Sequence, residues 1–122
     1  MTLLERNLSV LGATAASQIR DVAGDTVGSA TVCTTTSRSN HVIVGLTVNG
    51  RARYFHSTYD PRKEGERLAA TVNCPTVIVL GLGSGHHIPP LLRHAERVVV
   101  VEPHPVLVRH ALSSVDLTHS LG

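Results

Sequence analysis

At 122 residues, with 42% hydrophobic and 16% charged side chains, the chain has the composition of a soluble globular domain and not of a disordered segment. Its net charge of +2, with no cationic block larger than the three of PRKEGER, gives no electrostatic case for a nucleic-acid partner, and no run approaches the ~18 apolar residues of a membrane span. Aromatic content of 2% leaves Val, Leu, Ile and Ala to build a modest core, and Cys33 and Cys74, far apart and without a C-x-x-C pairing, read as free thiols of a reducing, cytoplasmic compartment.

The start, MTLLERNLSVLGATAAS, imitates a secretory leader, but Glu5 offsets Arg6 and the apolar stretch from Leu8 to Gly12 is too short. Leu4, Leu8, Leu11 and Ala15 recur at helical spacing, which predicts one amphipathic helix. TTTSRSN, from Thr34 to Asn40, reads as a polar loop. HVIVGLTVNGRARYFHS follows, and its Asn49-Gly50 pair predicts a β-hairpin over residues 41–57, because a type I′ turn needs positive φ at both central positions. Asp60-Pro61 then caps and opens a helix expected to stop near Asn73, with Gly65 costing it about 1 kcal/mol relative to alanine.

Val77 to Leu80 and Arg97 to Glu102 are apolar without alternation, the pattern of parallel strands covered on both faces. HIPPLLRHAE lies between them as a crossover helix, delayed to about Pro90 because Ile88 and Pro89 each precede a proline. The fold class is therefore α/β: an amino-terminal helix and β-hairpin, then the first βαβα portion of a Rossmann-like parallel sheet that the chain's length leaves truncated. Residues 1–74 and 75–122 form its two parts.

Gly81, Gly83 and Gly85 fall at the carboxyl end of the first parallel strand, where open α/β sheets put their ligands. Glycine there removes the Cβ atoms that would hold a ligand away from the backbone. Glu102 stands about twenty residues beyond Gly81, at the tip of the next strand, placed to accept hydrogen bonds from ribose hydroxyls. The expected guest is a nucleoside-containing small molecule. Position 86, where a nicotinamide fingerprint would need its third glycine, holds His86. Ser84, His86 and His87 complete the loop, the two histidines being candidates to contact an anionic group at the helix start.

No histidine spacing sits beside the cysteine or carboxylate partners of a zinc site, so no metal is expected. His56, Ser57, Tyr59 and Asp60 form a second polar cluster. Adjacent strand residues point to opposite faces, so His56 and Ser57 are not a nucleophile and its base, and no catalytic residue can be assigned.

The G-x-G-x-G spacing, with VVEPHPVLVRHAL after it, resembles motif I and the acidic strand end of class I S-adenosylmethionine-dependent methyltransferases. A wider resemblance covers nearly the whole chain. ERNLSVL, FHSTYDPRKEGERLA, LGLGSGHHI and VVVVEPHP are similar, in that order, to segments of the motility accessory factor family of flagellin-modifying glycosyltransferases, related to 6-hydroxymethylpterin diphosphokinase-like proteins. That resemblance implies a transferase module holding a nucleotide-containing donor, a nucleotide-sugar or S-adenosylmethionine, with His56, Ser57, Tyr59 and Asp60 lining the cleft. The alternatives are a methyltransferase-like protein and a non-catalytic nucleoside-binding or interaction module. The chain departs from the family pattern at His86, where an aromatic is usual, and at Gly65, where alanine is expected. With two parallel strands in view, their uncovered apolar surface predicts either self-association into a homo-oligomer or a missing carboxy-terminal domain.

Overall fold

Asn49 and Gly50 both adopt left-handed backbone, with φ of 52° and 76°, as a two-residue type I′ turn requires. They join β3 (Val42–Val48) to β4 (Arg51–Tyr54) in antiparallel register, Val48 opposite Arg51 and Gly45 opposite Tyr54. The structure, a computed structural model that describes residues 1–121, extends this hairpin into a larger sheet. β2 (Ala30–Thr36) pairs along the other side of β3, and β1 (Thr26–Val27) pairs with β2, giving four antiparallel strands in the order β1-β2-β3-β4. The polar loop expected from Thr34 is corrected here. Thr34, Thr35 and Thr36 finish β2 opposite Val44, Ile43 and Val42, because branching at Cβ favours extended backbone and the hydroxyls tolerate a half-exposed face.

The single helix expected over Leu4 to Ala15 is two helices, α1 (Leu3–Leu8) and α2 (Ala13–Arg20). Thr2 caps α1 by accepting the Glu5 N–H, while the Ser9 hydroxyl donates back to the Arg6 carbonyl at the other end. Gly12, extended at φ −61° and ψ 150°, then restarts the chain as the N-cap of α2. Breaking the helix resets its phase. Leu8 is buried as the spacing predicts, at 1% exposure, but Ala16 takes the buried position expected of Ala15.

Asp60 caps α3 (Pro61–Ala70) by accepting the Arg62 and Lys63 N–H groups through Oδ1, both at 3.1 Å. The helix ends at Ala70, before Asn73, because Thr71 closes it: its hydroxyl and its N–H both donate to the Leu68 carbonyl. Beyond it, β5 (Thr76–Leu80) and β6 (Arg97–Val101) pair in parallel with α4 (Ile88–His94) between them, and α5 (Pro105–Leu112) follows. α4 starts at Ile88, earlier than the proline rule predicts. Pro89 and Pro90 fall in its first turn, where a missing N–H loses no helical bond.

Cover on both faces of the parallel pair, as the unbroken apolar runs suggest, is also corrected. Val77 and Val79, with Val98 and Val100 beside them, face the helices, whereas Ile78 and Leu80 are 66% and 82% exposed. Two clusters hold the chain together. The larger joins Leu8 and Ala16 to Leu82, Ile88, Leu112 and Leu117; the smaller sets Val106 and Leu107 of α5 against Val32 and Val44 of the antiparallel sheet. No helix among the described residues is long and apolar enough to cross a membrane.

Candidate ligand cleft

β4 is shorter than β3, so the backbone groups of β3 near its start have no strand partner on that side. The loop after β5 takes them. The Val44 N–H donates to the Ser84 hydroxyl at 2.7 Å, and Nε2 of His86 donates to the Val42 carbonyl at 2.6 Å. Ser84 is fully buried by these contacts and His86 nearly so. Ser84 gives its own N–H to Nε2 of His56 at 2.9 Å, while Nδ1 of His56 faces Glu64 Oε1 at 3.4 Å. The imidazole at position 56 is thus an acceptor at one nitrogen and carries its proton on the other.

Gly81, Gly83 and Gly85 have φ of 92°, 57° and 83°, the left-handed conformations that glycine adopts without penalty. At Gly83 space is limiting too, since a Cβ there would lie 2.7 Å from Nε2 of His56. Gly83→Ala is expected to cost about 2 kcal/mol in left-handed strain and to push His56 off the Ser84 N–H. Chemical denaturation reads the first effect and the His56 ring resonances the second; an unshifted His56 would mean the loop yields instead.

An open cleft of about 510 Å³ lies beside this loop. Its walls come from five places: Phe55 and His56 after β4, Glu64 and Leu68 of α3, the end of β5 with Gly81 and Gly83, His87 before α4, and Glu102 after β6. Gly65 sets the distance between them. A Cβ at that position would lie 3.0 Å from the His87 Cα and 3.1 Å from the His86 carbonyl oxygen, so glycine lets α3 press against the start of α4. The helix cost read from the sequence is the cost of that approach. Glu102 bridges the loop to the start of α5, accepting the Leu82 N–H at 3.2 Å and the N–H of the helix cap His104 at 3.3 Å.

Four imidazoles form a row, His56 and His87 in the cleft wall and His86 and His41 behind it. His41 stands edge-on to His86, His86 edge-on to His56, and His56 against His87, with centroids 5.7, 5.7 and 5.2 Å apart. Burial, with the neighbouring imidazoles adding, holds His56 and His87 down at about 4 and moves His86 in the same direction. They are neutral at pH 7. Because the folded values of His56 and His87 lie below the ordinary 6.5, an acidified unfolded chain takes up protons first. Their contribution to stability is complete above about 6.5 and is lost progressively as the pH falls toward about 4. Denaturation midpoints across that window should fall with pH, and a flat profile would show both rings to be solvated.

Of the residues singled out from the sequence, Gly81, Gly83, His56, His87 and Glu102 line the cleft. Ser84, Gly85 and His86 lie buried behind it. Ser57, Tyr59 and Asp60 surround a separate shallow depression with Lys63 and Arg67. The Ser57 hydroxyl accepts the Tyr59 and Asp60 N–H groups, a local turn that orients the α3 cap. Phe55, Glu64 and Leu68 were not predicted. Glu64 carried a sequence signal, as an acid in the first turn of a helix whose preceding turn it ties down through the Ser57 N–H. Among the described residues no group of three or more His, Cys, Asp or Glu side chains is arranged to hold a metal ion.

Residues 14–121 match the family model described as the glycosyltransferase Maf N-terminal domain. The likeness to motility accessory factors carried by FHSTYDPRKEGERLA and LGLGSGHHI is borne out by that match. No curated protein and no solved structure matches the chain, and the methyltransferase likeness of the glycine loop has no support from these comparisons.

Proposed function

Since the chain belongs to the glycosyltransferase Maf N-terminal domain family, we propose that it serves glycosyl transfer by holding a nucleotide-containing donor in the cleft at the carboxyl end of β5. One observation carries this reading: three left-handed glycines open the strand end, and Glu102, at the tip of the neighbouring parallel strand, stands in the same cleft. Each Glu102 oxygen accepts one backbone N–H, and a carboxylate has further lone pairs to offer a ribose diol. The role is binding and orientation. Ser84, the hydroxyl nearest the loop's centre, is buried as an acceptor for Val44, and His56 is engaged at both nitrogens, so neither supports a nucleophile or a general base.

Calorimetric titration with nucleotide-sugars, S-adenosylmethionine, its demethylated product and NAD tests the reading. A nucleotide-sugar should bind, and NAD binding most tightly would overturn it, because His86 occupies the position of the third nicotinamide-site glycine. Glu102→Ala should weaken the bound donor by about 1.5–3 kcal/mol, the worth of hydrogen bonds to a charged acceptor. An unchanged dissociation constant would remove Glu102 from the ligand.

A further inference from the structure

Four of the backbone N–H groups in the glycine loop are already spent. Gly81 donates to the Val101 carbonyl at 2.8 Å, Leu82 to Glu102 at 3.2 Å, Ser84 to His56 at 2.9 Å and Gly85 to the Leu82 carbonyl at 3.0 Å. Ile88, the first residue of α4, donates to the Gly85 carbonyl. A phosphate cradle needs several such groups pointing together at the anion, and these four bond within the protein instead. The charged side chains lining the cleft among the described residues are Glu64 and Glu102, with no lysine or arginine. The histidines there, His56 and His87, are buried and neutral at pH 7. The rest of the wall is apolar: Phe55, Leu68, Val79 and Leu80.

Resting on the nucleotide reading of this cleft, we infer that its interior takes the uncharged nucleoside part of the donor, the diol on Glu102 and the base on the apolar wall, while the phosphates stay outside it. A phosphate pushed inward would meet two carboxylates with no fixed cation to offset them, and Coulomb repulsion at close range in a partly enclosed site is not screened away. The glycine loop works here as a spacer that lets the nucleoside approach, and anion binding is left to groups elsewhere.

The test compares each common ribonucleoside with its own 5′-diphosphate by titration calorimetry on the whole chain, in EDTA and again with added Mn²⁺. For the base that binds best, the nucleoside in EDTA should bind within about threefold of its diphosphate, or more tightly. Glu102→Gln and Glu64→Gln keep a side-chain acceptor while removing the charge. Either should shift the preference toward the diphosphate by about threefold or more. A diphosphate at least tenfold tighter than its nucleoside in EDTA would overturn the inference and leave the nucleotide reading standing. Tight diphosphate binding that appears with Mn²⁺ alone would overturn it too, by showing that the phosphates enter on a cation. If nucleosides, diphosphates and nucleotide-sugars all fail to bind, the nucleotide reading falls and takes this inference with it.

Discussion

Asn7→Asp is expected to destabilise the chain by about 4 kcal/mol or more, although it exchanges one amide for a carboxylate of nearly the same shape. Asn7 is fully buried. Its Nδ2 donates to the carbonyls of Leu112 and Val115 at 2.8 and 2.7 Å, and its Oδ1 accepts the Leu117 N–H at 2.8 Å. One side chain therefore satisfies three backbone groups at the end of α5 and in the segment after it, and ties α1 to them. A carboxylate keeps the bond from Leu117 but sets a buried negative charge against two carbonyl oxygens, which the amide had bridged as a donor. The loss should be greatest at neutral pH and smaller in acid, where the protonated carboxyl regains one donor. Denaturant melts at two pH values check both parts, and a variant as stable as the parent at neutral pH would show that this amide is not the tie.

The second large effect is expected at Gly45, where alanine should cost about 3 kcal/mol. A Cβ there would lie 2.4 Å from the Arg53 carbonyl oxygen and 2.7 Å from Cδ1 of Tyr54. The tyrosine ring could swing away, but the carbonyl belongs to β4, whose pairing with β3 is the hairpin itself. To admit the methyl the strands must part, and the damage should reach the cleft through Phe55, whose N–H bonds to the Val44 carbonyl next to this position. Thermal or chemical denaturation reads the loss; a midpoint unchanged by Gly45→Ala would show that β4 can shift without cost.

Where backbone chemistry is punctuated by its own residue types, the fold is legible in the sequence. Asn49-Gly50, Asp60-Pro61 and the two valine-rich runs each name one local geometry, and each element stands where they place it. β1 and β2 had a weaker signal, the Gly28-Ser29 pair between Val27 and Ala30, and it is outweighed by the polar threonines that follow. The helix break could have been suspected from Ser9 and Gly12, both poor in a helix interior. The cleft was half visible. Its glycines and Glu102 share a local motif, whereas Phe55, Glu64 and Leu68 reach it because Gly65 lets α3 come close, a contact between segments that no short window contains. Asn7 was invisible for the same reason, since all three of its partners lie more than a hundred positions away.

The two bonds that seat the glycine loop on β3 also bear on the order of assembly. Strands β2, β3 and β4 close through short turns, while the Ser84–Val44 and His86–Val42 bonds bridge 40 and 44 positions. Closing a longer loop costs more chain entropy before any contact repays it. The meander is thus the early platform, and the loop settles onto backbone groups that β4 has already left vacant. By the same reasoning the cleft loop closes after the meander and before the ties from Asn7, which span 105 to 110 positions, so the cleft takes shape before the two ends of the chain are fastened together.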